Sequence, residues 1–130
     1  MRRLVISVFL AICFILGWLL LRGPEPGQDA ADIALMDYGG AVFRQHCGPC
    51  HSAETTHVAP GLSGLFGRTV GSTSFPSSPA LIAADFIWNP DRLDAFLTNP
   101  RGYIPGNQMV FYGLDGAAAR EALIVYIENL

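Results

Sequence analysis

Hydrophobic and polar positions divide the chain into zones of different rhythm. Residues 4–21 (LVISVFLAICFILGWLLL) carry no charge and are apolar all round. A helix of 18 such residues is long enough to cross a hydrocarbon core with little tilt. Residues 23–31 (GPEPGQDAA) then read as a short linker. Beyond it the periodic segments are brief. One helix is expected from a cap at Asp32 or Asp37 to about Gln45, with Gly39 and Phe43 four apart on one face. Glycine inside a helix costs about 1 kcal/mol against alanine, so Gly39 implies close approach of another helix. Residues 115–130 (DGAAAREALIVYIENL) supply it: Ala118, Ala122, Val125 and Tyr126 recur at helical spacing, and Leu123, Ile124 and Ile127 widen the stripe. Asp115 stands in position to cap that helix.

Between these two helices the pattern is mostly loop. Residues 57–74 contain Gly61, Gly64, Gly67 and Gly71 and read as a loop wrapped against something apolar. Residues 75–79 continue it, and residues 81–84 form a helical turn. After Trp88, Asn89 or Asp91 caps a helix through Thr98, with Leu93, Phe96 and Leu97 inward; Asn99-Pro100 ends it. Residues 103–109 (YIPGNQM) read as an irregular loop. The expected class is all-α, with short helices and long loops. Roughly 100 residues make one small domain whose core is thin if built from side chains alone.

Charge narrows the function. All eight basic residues are arginine and there is no lysine. After Gly27, five arginines face ten acidic residues, a formal charge of −5. An acidic domain does not bind nucleic acid through a basic surface. Arg2 and Arg3 precede the apolar run and only Arg22 closely follows it, which orients the N-terminus to the cytoplasm. The run is longer than a usual signal core, and no small-x-small cleavage site follows. Ile12 precedes Cys13, where a lipoprotein signal would need a small residue. The expected layout is an uncleaved signal-anchor at 1–22, the linker at 23–31 and a folded domain at 32–130. Cys13 is then an inert apolar residue of the anchor.

The chemistry is concentrated in Cys47-Gly48-Pro49-Cys50-His51. Cys-x-x-Cys-His is an attachment site for a c-type haem. Two thiols on one face of a tight turn each add S–H across a vinyl group, and the adjacent imidazole ligates the iron. A zinc site would need a second pair of ligands, and the remaining cysteine is Cys13. A thioredoxin-like redox pair would need βαβ patterning around the motif, which is absent. The other axial position is filled by a soft sulfur, a second imidazole or nothing. His46 is too near the turn to reach the far face, and His57 follows His51 by only six residues. Met36 lies in the first helix and Met1 outside the domain. Met109 stands 58 residues after His51 in a Pro/Gly loop, far enough along the chain to wrap the ring. A Met/His pair raises the reduction potential and leaves no open position for a substrate.

These residues in this order resemble the class I cytochromes c, the mitochondrial and bacterial c2-like group. The resemblance runs from about Asp32 to Leu130. It is carried by Gly39 and Phe43 before CGPCH, Pro60-Gly61-Leu62, GLFGR at 64–68, Trp88, Leu93 with LTNP at 97–100, YIPGNQMVF at 103–111, and Arg120 with residues 123–126. It implies a class I cytochrome c fold, helices and loops wrapped around one covalent haem c, preceded by one transmembrane helix. It implies thioethers at Cys47 and Cys50 and iron ligation by His51 and Met109. Pro60 would accept the imidazole N–H, Arg68 and Trp88 would hydrogen-bond a propionate, and Phe111 would cover the haem near Met109. Gly39, Phe43 and Tyr126 would make the crossing of first and last helices.

Some positions depart from the family. Phe96 replaces a tyrosine that often bonds the methionine sulfur. Ser77 or Ser78 stands where a propionate-binding tyrosine is usual, and Gln108 replaces a lysine. The lysine ring that docks the mitochondrial protein is absent. The implied function is a membrane-anchored one-electron carrier, not an enzyme, with a monomeric haem domain. It would sit in the bacterial inner membrane as a single-pass protein with the haem domain in the periplasm. Its donor would be a quinol-oxidising cytochrome bc1-type complex and its acceptor a terminal oxidase. The rival readings are a haem c subunit fixed in a larger oxidoreductase, a haem gas sensor or peroxidase, and a thiol–disulfide protein.

Overall fold

The computed structural model describes residues 12–18 and 26–130. The chain divides into two compact units, residues 1–32 and Ile33–Leu130. Residues 12–18 are helical. Among the described residues no helix is long and apolar enough to cross a membrane. The anchor expected over 4–21 falls largely outside the described residues.

From Pro26 onward there are five described helices: α1 (Pro26–His46), α2 (Pro79–Ala83), α3 (Pro90–Thr98), α4 (Pro100–Tyr103) and α5 (Ala117–Glu128). Four of them start on proline, whose fixed φ suits the first helical position and whose missing N–H would be unpaired there anyway. This is why α1 begins at Pro26, with Asp29 in its first turn, rather than at Asp32 or Asp37, and takes in most of the stretch expected as a linker. Ser78 caps α2 by accepting from Leu81 N at 3.4 Å, Asn89 caps α3 from Arg92 N at 2.8 Å, and Asn99 caps α4 from Gly102 N at 3.0 Å.

Helix α5 departs from expectation at its start. Gly116 is its N-cap and the Asp115 side chain caps nothing. Arg120 organises that end instead. Its Nη1 donates to Leu114 O at 2.7 Å and Asp115 O at 3.0 Å, while Nε pairs with Asp94 of α3 at 2.7 Å. The stripe of α5 is also shorter than expected: Ala122, Leu123 and Ile127 are buried, but Ala118 is exposed.

Helices α1 and α5 cross at Gly39. A Cβ there would collide with Ala122 O and stand 2.8 Å from Tyr126 Cβ. The Phe43 and Tyr126 rings meet at 5.2 Å. Leu93, Phe96 and Leu97 of α3 join Leu123 and Ile127 in the core. The segment expected as pure loop holds one short antiparallel bridge, Thr69 to Ile87. Gly67 N donates to Trp88 O, Trp88 N to Arg68 O and Val70 N to Phe86 O, at 2.9–3.0 Å. That pairing sets Arg68 beside Trp88, whose ring packs edge-on against Phe86 and Phe96 at 4.9 and 5.3 Å.

Candidate functional site

The end of α1 winds directly into the cysteine turn. Cys47 N and Gly48 N both donate to Phe43 O at 2.8 Å; Cys50 N and His51 N both donate to Cys47 O, at 3.0 and 2.8 Å. Cys47 is half-buried and Cys50 exposed, and neither is in a disulfide. Burial first, and then the neighbouring Cys50, pushes the Cys47 thiol up to about 11. It is therefore held as S–H, the form that adds across a vinyl double bond.

His51 follows with its Nδ1 2.8 Å from Pro60 O. Donation from Nδ1 to that carbonyl leaves the Nε2 lone pair free for a metal. Burial lowers the His51 pKa and outweighs the opposing effect of the Pro60 bond, which favours the neutral, ligating imidazole.

The Pro60 carbonyl is itself fixed by a strapped loop. Thr56 Oγ1 accepts from Val58 N at 3.1 Å and Ala59 N at 3.0 Å, and donates to Cys50 O at 2.9 Å. Gly61 N donates to Thr55 Oγ1 at 3.3 Å, and Arg68 Nη2 donates to Gly61 O at 2.9 Å. Gly61 touches backbone closely enough that a Cβ would lie 2.5–2.6 Å from Glu54 C, Ala53 O and Thr55 N. Arg68 thus holds backbone carbonyls of Gly61 and Ser63, and burial lowers its pKa.

A cavity of about 280 Å³ opens beside the turn. Its wall includes Leu65, Val70, Leu93, Phe96, Leu97 and Ile127. All eight residues singled out in the sequence lie on it: Cys47, Cys50, His51, Pro60, Arg68, Trp88, Met109 and Phe111. His46 also lines it, with its ring 6.4 Å from that of Phe111, whereas Met36 and His57 do not.

Met109 is presented by a loop that one amide organises. Asn107 Nδ2 donates to Pro100 O and Ile104 O, both at 2.8 Å, and its Oδ1 accepts from Met109 N at 3.1 Å. Asn107 and Thr56 are positioning residues that the motif pattern of the sequence does not single out. For Asn107 the signal was available, since asparagine after Pro-Gly is a turn residue that bonds nearby backbone.

The donor set fits a haem. Two thiols and an imidazole adjoin an apolar cavity, a thioether lines it from a distant segment, and an arginine and an indole mark one polar stretch. A zinc or thioredoxin-type site has no use for such a cavity. Among the described residues no cluster of three or more His, Cys, Asp or Glu is placed to hold a metal ion.

No family model matches the chain. Individual relatives do. The cytochrome c 2.1 of Caenorhabditis elegans is 42% identical over 103 residues, spanning 75% of this chain and 93% of the relative. The cytochrome c of Theileria annulata is 36% identical over 94 residues, spanning 70% and 82%. Among solved structures, cytochrome cH from Methylobacterium extorquens superposes with a TM-score of 0.70 at 28% identity, over 73% of this chain and 98% of that one. Identity at this level across nearly the whole length of the relatives reaches far beyond a shared five-residue motif, and the chain belongs to the class I cytochromes c, electron-transfer proteins that carry a covalently attached haem c.

Proposed function

We propose that the chain is a membrane-anchored electron carrier of the bacterial inner membrane, its haem domain in the periplasm, working between a quinol-oxidising cytochrome complex and a terminal oxidase. The observation that carries the electron-transfer part is the meeting of His51 and Met109 on one cavity, with His51 Nδ1 bound to Pro60. The haem supplies a single-electron Fe(III)/Fe(II) couple. Cys47 and Cys50 would hold it by thioethers, and His51 and Met109 would ligate the iron, leaving no position for a substrate. Pro60 orients the imidazole. Arg68 and Trp88, which line the same cavity, would hydrogen-bond a propionate and reduce the cost of burying its charge. Phe111 keeps water from the Met109 side.

The anchor rests on the uncharged run at 4–21 and on Arg2 and Arg3 ahead of it. The absence of lysine supports it indirectly. A tethered carrier gains effective concentration without a basic docking face. The test is a reduced-minus-oxidised spectrum of washed membranes from cells that express the chain with haem-attachment machinery. A sharp reduced α band and a weak near-infrared Met–Fe(III) band, both in the membrane pellet, are expected. Haem in the soluble fraction sinks the anchor; an α band without the infrared band sinks Met109 as ligand.

A further inference from the structure

The loop that carries Met109 is tied mostly to its own side of the cavity. Asn107 Nδ2 donates to Pro100 O and Ile104 O, Leu114 N donates to Leu97 O, and the Arg101 guanidinium lies over the Tyr112 ring at 4.9 Å. One contact runs the other way. The imidazole of His46 stands 6.4 Å from the ring of Phe111, edge-on at 60°. Both residues line the cavity, and His46 is exposed, so the pair sits at the rim. Among the described residues no other hydrogen bond or ring contact joins residues 105–113 to α1 or to the cysteine turn.

The two halves of this pair are not equally fixed. His46 is the last residue of α1. That helix is seated by the Gly39 crossing and by buried Val42 and Phe43. The Phe43 carbonyl then accepts from Cys47 N and Gly48 N, at 2.8 Å each, just beyond His46. Phe111, in contrast, lies between exposed Val110 and Tyr112. The imidazole makes no hydrogen bond among the described residues, so no polar partner competes for its orientation. An edge-to-face ring pair at this separation is attractive beyond the area it covers. His46 is the fixed partner and Phe111 the one that needs holding. The place beside Cys47 that disqualifies His46 as an axial ligand puts its ring at the rim instead.

We propose that His46 is a positioning residue for the Met109 ligand: its ring holds Phe111 across the rim of the cavity, and through Phe111 it keeps the Met109 loop closed. The proposal rests on the haem reading above. It gives the residue before the cysteine turn a part in ligand exchange that is separate from haem attachment.

The test uses the full-length ferric holoprotein and titrates imidazole while following the near-infrared Met–Fe(III) band. In His46→Ala the band should be lost at about two- to twelvefold lower imidazole than in wild type, the range expected for one ring pair. His46→Phe keeps a ring at the rim and should restore the wild-type midpoint. With Phe111→Leu already present, H46A should shift the midpoint by less than about twofold, because the partner is gone. Should H46A bear no haem, His46→Gln removes the ring equally and gives the same reading. An unchanged midpoint in H46A, a shift that H46F does not restore, or an equal shift in the F111L background each overturns the proposal. Wild-type protein without a covalent α band would instead overturn the haem reading, and an α band without the near-infrared band would overturn Met109 as ligand, so these failures are distinct.

Discussion

The two segments that present His51 and Met109 to the cavity are built differently. On the His51 side, residues 52–63 are strapped several times over. Thr56 ties the Cys50 carbonyl to the Val58 and Ala59 amides, and Thr55 and Arg68 grip both ends of Gly61. Leu62 N and Ser63 N bond back to Ser52 O and Ala53 O. On the Met109 side, among the described residues, Asn107 alone supplies the side-chain bonds of the loop, and the next backbone tie is Leu114 N to Leu97 O at 2.8 Å. Val110 and Tyr112, which flank Phe111, are 85% and 78% exposed. The imidazole is thus fixed by many small terms and the thioether by few. The difference teaches that one ligand should be hard to dislodge and the other easy to exchange.

The most damaging way to break this contrast is Gly61→Ala. The added methyl meets three backbone atoms that cannot rotate away, so the strapped loop must shift as a whole. A loss of about 3 kcal/mol or more is expected, from the upper end of overpacking effects. Denaturant unfolding and the yield of haem-bearing protein measure it, and near-normal yield would show that the His51 loop is softer than its bonds imply.

Met109→Ala comes next and strikes the other side. Haem stays attached through Cys47 and Cys50, the near-infrared band disappears, and the potential falls by roughly 0.2 V or more, within the about 0.8 V that axial ligands span. An unchanged potential removes Met109 from the iron.

Asn107→Ala has a smaller, more specific effect. It deletes the bonds to Pro100 O, Ile104 O and Met109 N but leaves the thioether in place. Unpairing partly buried backbone groups costs about 1–3 kcal/mol. If about half of that falls on the Met109-bound state, added imidazole should displace the thioether at about two- to twelvefold lower concentration. Titration of the near-infrared band reads this directly.

Much of this site is legible in the sequence because covalent and coordination chemistry is written in residue types. CGPCH and the distant Met109 name themselves, and Gly39 announces a helix crossing because glycine in a helix needs a reason. The straps are not legible in the same way. Thr55 and Thr56 look like any polar loop pair until the fold turns their hydroxyls onto backbone amides six and three residues ahead. Arg120 shows the same limit. Its place in a helix was plain, but its reach to Leu114, Asp115 and Asp94 depends on the packing of α3 against α5, and it displaced Asp115 as the organiser of that helix end. The start of α1 was misplaced because Pro26 reads as a linker residue and also as a first helical residue; the pattern alone does not choose between them.

Thr56→Val is the mildest substitution and the sharpest test of the contrast. Valine keeps the volume of threonine, so no cavity opens. What is lost is one acceptor for Val58 N and Ala59 N and one donor to Cys50 O. Val58 is exposed and water can replace part of this, so a loss of about 1–2 kcal/mol is expected. His51 should keep its bond to Pro60 O, because Thr55, Arg68 and the Leu62 and Ser63 amides still hold that loop. Imidazole should therefore displace Met109 from T56V no more readily than from wild type, even though T56V and N107A unfold at similar denaturant concentrations. Equal stability loss with unequal ligand exchange is the signature of a rigid side and a yielding side. If T56V opens the iron as easily as N107A does, the two loops act as one cooperative unit, and ligand exchange reports global stability instead of local construction.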